Sequence, residues 1–122
     1  MQKTFLFVAL LSLAASGAQA QLAPGAQAAT TAQAKRMAQE LSLSPDQHKR
    51  LLNVLVLTRQ HMDADRTAHH DDPGALRAAM AFDRAKSDEL IRGVLTPAQY
   101  ARYQQFKAAR ISQLHTTAGV GN

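Results

Sequence analysis

The sequence predicts an all-α protein of about four helices. Apolar residues recur at steps of three and four over residues 45–115, as on one face of a helix. No segment alternates apolar and polar residues as a half-buried strand does. Pro45, Pro73 and Pro97 each follow a residue that can cap a helix, which marks three helix starts.

The first 20 residues have the features of a secretory signal peptide. Lys3 precedes an apolar run over residues 5–15, and Ala18 and Ala20 are the small residues of a cleavage site. The run is short and interrupted, so an uncleaved membrane anchor is the less favoured alternative. We expect cleavage before Gln21 and export to a bacterial periplasm.

The composition of the remaining chain indicates one small domain without recognisable catalytic groups. The 122 residues include 14 Lys and Arg against nine Asp and Glu, a net charge of +5, and one positive charge would leave with Lys3. Because these charges are dispersed and not interleaved with aromatic residues, we expect no nucleic-acid partner. Cysteine is absent, and no phosphate-binding loop or nucleophile with a base is recognisable. We therefore expect neither an enzyme nor a cofactor.

The segment after the signal peptide is predicted to be a flexible leader over residues 21–30. It contains alanine, glutamine, glycine and proline, with little to bury. Thr30 and Gln33 have the spacing of a helix cap, so a short first helix is expected over residues 32–41.

The second helix is predicted from Pro45 to about residue 70. Within residues 51–57 only Asn53 is polar, so this part should meet apolar surface on more than one side. A helix of about 25 residues is about 38 Å long, which favours an extended shape.

The third helix is predicted over residues 73–94, with Asp72 as its cap. Asp83 and Ser87 interrupt its apolar stripe, so we expect a thinner core contact at its centre. The fourth helix is predicted over residues 97–115, followed by a disordered tail over residues 116–122.

A short motif occurs at two of these helix starts, as LSPDQ at 43–47 and LTPAQ at 95–99. In both copies a hydroxyl residue lies three positions before a glutamine, which is the spacing of a capping box. We expect the motif to have a structural role and to indicate two similar units. Its predicted structural residues are Leu43, Ser44, Gln47, Leu95, Thr96 and Gln99.

With these two motifs the chain resembles the LTxxQ-motif family of periplasmic proteins, the Spy/CpxP-like group, over roughly residues 35–115. The second copy fits fully, whereas the first has serine in place of threonine. The resemblance implies a thin, bent arrangement of helices, with residues 31–115 as its domain, that pairs into a cradle-like homodimer. It also implies an ATP-independent chaperone for unfolded or stressed envelope proteins. Some relatives instead inhibit an envelope-stress sensor kinase, and others bind heavy metals.

Basic residues alternate with apolar ones along the two central helices. One interpretation is a solvated face whose arginine stems cover leucines. The other is a surface that attracts clients by charge and holds them by flexible apolar groups. The candidate client-binding residues are Arg59, Met62, Arg66, Met80, Phe82 and Arg84.

A possible metal site is the weaker hypothesis. His61, Asp65 and His69 recur at steps of four, so they share one helix face, and imidazole and carboxylate groups suit zinc or copper. The alternative is a solvated helix end, where histidine is favoured by the helix dipole.

The aromatic residues of the fourth helix have a simpler interpretation. Tyr100, Tyr103 and Phe106 recur at helical spacing, and aromatic side chains at such positions usually bury a large area. We expect them to form core or dimer contacts.

Overall fold

The computed structural model describes the backbone of residues 22–120 and side chains as far as Leu114. These residues form four helices and no strand, which confirms the predicted all-α class. The predicted signal peptide lies outside the described residues. The helices are α1 (Pro24–Glu40), α2 (Pro45–Ala68), α3 (Pro73–Val94) and α4 (Pro97–Val120).

The pair α2 and α3 forms the most extensive helix contact. Helix α1 packs along α2, whereas α4 meets α3 over a short length. Tyr100, Tyr103 and Phe106 of α4 pack against the core, as the sequence predicted. The buried core gathers near the α1–α2 and α3–α4 turns and consists of Ala34, Met37, Leu41, Leu51, Leu55, Ile91, Val94 and Leu95.

Helix α1 begins earlier than the sequence predicted. The expected leader is wrong for residues 24–30, which are helical. Thr30 does not cap the helix; it is buried within it, and its Oγ1 donates to the carbonyl of Ala26 at 2.8 Å. Alanine has the highest helix propensity, and small side chains such as that of Ala34 can be buried against a neighbouring helix without a large apolar stripe.

The other helix starts agree with the predictions. Helices begin at Pro45, Pro73 and Pro97, and Asp72 Oδ1 accepts the N–H of Ala75 at 3.0 Å. Helix α4 continues to Val120, so the predicted tail is wrong for residues 116–120. No glycine or proline opposes the helix between Pro97 and Gly119, which accounts for the longer helix.

Both capping boxes form as predicted. At α2, the Gln47 N–H donates to Ser44 Oγ at 3.1 Å and the Ser44 N–H donates to Gln47 Oε1 at 3.0 Å. At α4, the Gln99 N–H donates to Thr96 Oγ1 at 3.2 Å and the Thr96 N–H donates to Gln99 Oε1 at 2.9 Å. Leu95 is buried and Leu43 is half-buried, so the motif leucines join the core.

The two motif glutamines also bond to each other. Gln47 Nε2 donates to Gln99 Oε1 at 2.8 Å, and Gln99 Nε2 donates to Gln47 Oε1 at 3.3 Å. Each amide also reaches the opposite turn: Gln47 Nε2 donates to the carbonyl of Val94 at 3.1 Å, and Gln99 Nε2 to that of Leu41 at 3.4 Å. We refer to these bonds as the glutamine clasp. It ties the α1–α2 turn to the α3–α4 turn.

Breaking the clasp should destabilise the protein in a coupled way. We expect Gln47→Ala and Gln99→Ala each to lower the free energy of unfolding by about 1–3 kcal/mol, because each leaves partly buried polar groups without partners. The loss of unfolding free energy in the double variant should be smaller than the sum of the two single losses by at least about 0.5 kcal/mol. Urea unfolding of all three variants measures this coupling. The control Gln105→Ala, at an exposed position of α4, should change the free energy of unfolding by less than about 0.5 kcal/mol. If the losses in the two single variants add up to the loss in the double variant, the coupling is contradicted.

Just after the end of α1, Ser42 has a backbone conformation that a serine rarely adopts. Ser42 has a φ of 54°, the one positive φ of a non-glycine residue in the described part of the chain. The Leu43 N–H donates to the carbonyl of Ala38 at 2.9 Å and the Ser42 N–H to that of Gln39 at 3.4 Å. This is the Schellman pattern, in which glycine is preferred at the position of Ser42.

Replacing Ser42 by glycine should stabilise the protein. We expect Ser42→Gly to raise the free energy of unfolding by about 0.5–1 kcal/mol, because glycine adopts a positive φ without a steric penalty. The matched control Gln39→Gly, inside the last turn of α1, should lower it by about 1 kcal/mol. Thermal unfolding distinguishes the two, and an equal loss in both variants would contradict the assignment.

Candidate binding groove and outer face

A half-open groove of about 340 Å³ is lined by residues from all four helices, and we refer to it as the central groove. Its apolar walls come from α1, α2 and α3, and its basic side chains come from α2, α3 and α4. The apolar residues include Met37, Leu55, Met62 and Ile91, and the basic residues are Arg59, Arg84 and Lys107.

The structure brings together three of the six predicted client-binding residues. Arg59, Met62 and Arg84 line the central groove. Arg66 is exposed and forms an ion pair with Asp63, one turn away, at 2.7 Å. The remaining two, Met80 and Phe82, do not line this groove.

A second surface lies on α2 and α3 alone. Leu57, Phe82, Lys86 and Leu90 line a pocket of about 200 Å³ to which neither α1 nor α4 contributes, and we refer to these four residues as the outer face. The side chain of Phe82 is 70% exposed, and those of Leu57 and Leu90 are 45% and 37% exposed. The α2–α3 pair therefore presents uncovered apolar side chains beside a lysine.

Asp88 of α3 connects the groove to α4. Its Oδ2 accepts the Tyr100 hydroxyl at 2.7 Å and its Oδ1 accepts Lys107 Nζ at 2.9 Å, while Gln104 Nε2 donates to the Tyr100 hydroxyl. Burial alone would raise the pKa of Asp88, but the hydrogen bonds from Lys107 and Tyr100 outweigh it and lower that pKa. The bond to Asp88 raises the pKa of Lys107. Both groups are therefore charged at neutral pH and offset each other.

Cations lie over the aromatic rings of α4. Lys107 Nζ is 5.2 Å from the centre of the Tyr103 ring, and the guanidinium of Arg102 is 5.5 Å from the centre of the Phe106 ring.

The sequence did not predict Asp88, Tyr103 and Lys107 as groove residues. The spacing of four between Tyr103 and Lys107 is the one local signal that links any two of them.

The predicted metal-site residues do not form a cluster. His61 is exposed and lines the pocket of the outer face, whereas Asp65 meets Asp83 of α3. Among the side chains that the structure describes, up to Leu114, no group of three or more potential ligands is placed to hold a metal ion. The buried Oδ2 atoms of Asp65 and Asp83 have no hydrogen-bond donor in the described structure.

A proton on one of these two carboxyl groups can be donated to the other, and this interaction with Asp65, followed by burial and the charge of Asp65, raises the pKa of Asp83. A raised pKa means that the folded state holds the proton more tightly than the unfolded state does. The stabilisation from this pair is therefore complete below the ordinary pKa of an aspartate. It is lost as the pH rises through the raised value.

Replacing Asp83 by asparagine should stabilise the protein at pH 7. The Asp83→Asn side chain can donate to Asp65 without repulsion, and we expect a gain of up to about 1 kcal/mol for this partly exposed pair. The gain should shrink when unfolding is measured at acidic pH. Asp63→Asn is the matched control, because it removes an exposed carboxylate of α2 that pairs with Arg66. A variant Asp83→Asn that is less stable than the parent at pH 7 would contradict this account.

None of the described helices is long and apolar enough to cross a membrane.

Comparison with known proteins identifies one family. A family model described as a domain of unknown function (DUF4890) matches residues 15–103. The match includes α1, α2, α3 and the beginning of α4, and therefore both glutamines of the clasp. No curated protein matches the chain, and no solved structure matches it.

Proposed function

The chain belongs to the family described as a domain of unknown function (DUF4890), and from its surfaces we propose that it is a periplasmic, ATP-independent, chaperone-like protein. Its partners in this proposal are unfolded or stressed envelope proteins. It binds them reversibly, without catalysis.

The observation that carries the proposal is the outer face. Phe82 is 70% exposed and lines one pocket together with Leu57, Leu90 and Lys86. Exposed apolar side chains that are grouped together commonly mark a site of protein interaction. Lys86 pairs with Glu89 at 3.8 Å, so the positive charge that attracts acidic segments of a client comes from Arg50, in a neighbouring pocket that shares Lys86 and Leu90.

The finer family assignment supports the same proposal. We propose that the chain is Spy/CpxP-like, since its two LTxxQ-type motifs each open a helix and bond to each other. In this proposal the signal peptide directs export to the periplasm. The protein acts as a homodimer because its own core is small: Leu51 is the one large side chain in the described residues that is fully buried.

A scattering assay tests client binding. The mature protein, in several-fold excess at low salt, should suppress aggregation of a chemically denatured test protein, and added salt should weaken this suppression because it screens the attraction. Phe82→Ser should require several times more protein for the same effect. Ala81→Ser, at the exposed neighbouring position, is the matched control.

Thermal unfolding should differ by less than about 0.5 kcal/mol between these two variants and the parent, since both positions are on the surface. Unchanged scattering with excess parent protein at low salt would refute the chaperone proposal. Equal activity of Phe82→Ser and the parent would remove the outer face as the binding surface.

A further inference from the structure

The central groove carries two positive charges without a partner. Arg59 is half-buried and Arg84 is exposed, and they lie on adjacent helices. Neither forms an ion pair with another residue of the described chain. Lys107 does not add to this charge, because it is neutralised by Asp88 at 2.9 Å. The groove therefore attracts one anionic group.

The same groove also has an apolar lining. Met37, Leu55 and Met62 are among the side chains that form it. Two hydroxyl groups of the lining donate within their own helices: Thr30 Oγ1 to the carbonyl of Ala26 and Thr58 Oγ1 to that of Val54, both at 2.8 Å. These hydroxyl protons are not available to a ligand. A ligand that fits the groove has one anionic end and an apolar body.

We propose that the central groove binds one medium-chain fatty acid. Its carboxylate is held by Arg59 and Arg84, and its alkyl chain lies along Met37, Leu55 and Met62. The volume of about 340 Å³ is near the lower end of the range for small-molecule sites, which suits a single alkyl chain. Arginine offers paired N–H donors to a carboxylate, and the partial burial of Arg59 strengthens that contact.

Other occupants fit the groove less well. A small inorganic anion would satisfy the arginines but leave the apolar walls in contact with water. An extended polypeptide needs an open surface, and the exposed apolar side chains of the outer face offer one separately. The fatty-acid proposal does not rest on the chaperone function, because the groove and the outer face have different apolar and basic residues.

Calorimetric titration of the mature protein with decanoate, below its micelle concentration, tests the proposal. We expect saturable binding of one decanoate per chain and weaker binding of decanol, which lacks the charge, and of acetate, which lacks the chain. Arg59→Gln and Arg84→Gln should each weaken decanoate binding by about tenfold, and the double variant should weaken it further. Arg59→Lys should retain part of the affinity. Arg77→Gln, at an exposed position of the same helix as Arg84, should bind as the parent does.

Four results would overturn the proposal: no saturable heat with decanoate, equal binding of decanol, arginine variants that bind as the parent does, or binding to anionic phospholipid vesicles that is independent of both arginines. Thermal unfolding of each variant checks that these exposed or half-exposed substitutions leave the fold intact. The scattering assay gives an independent outcome, since Phe82→Ser should impair client capture while leaving decanoate affinity unchanged.

Discussion

The pairing of Gln47 with Gln99 is the interaction on which the arrangement of the four helices depends. A glutamine amide offers two N–H donors and an oxygen that can accept two bonds, and here both residues use all four. Glutamate would lack the donors, and the shorter asparagine would not span the same distances. Each helix-capping residue thereby also serves as a tie between distant turns, which explains why the motif needs glutamine in both copies.

The clasp lies at one end of the α2–α3 pair, and two different surfaces of that pair remain open. The buried core gathers at the same end of the molecule, around Leu41, Leu51 and Leu95. Because α1 and α4 both contribute to the central groove and neither contributes to the pocket of the outer face, the α2–α3 pair has two unlike sides. One side is a partly enclosed groove with two arginines. The other is an open apolar face, so the chain has two surfaces suited to ligands of different size.

Much of this fold could be predicted from the sequence, because capping is a local effect. Ser44 and Thr96 identify their helix starts within four residues of chain. The start of α1 was missed since its buried positions are occupied by small residues such as Thr30 and Ala34, which give little apolar signal. The contact between Gln47 and Gln99 depends on how two distant turns meet. The predicted client-binding set grouped Phe82 with Arg84, although residues two positions apart on one helix do not share a face, and the two residues line different pockets.

The carboxyl pair of Asp65 and Asp83 has a mechanical consequence. It lies between α2 and the middle of α3, and above the raised pKa of Asp83 the repulsion within the pair opposes close approach of the helices there. Beyond this pair the four-residue turn over residues 69–72 joins α2 to α3, so the two helices cannot separate at that end. The repulsion therefore acts within a hairpin that is closed at both ends, by the turn and by the clasp, and protonation of the pair relieves it.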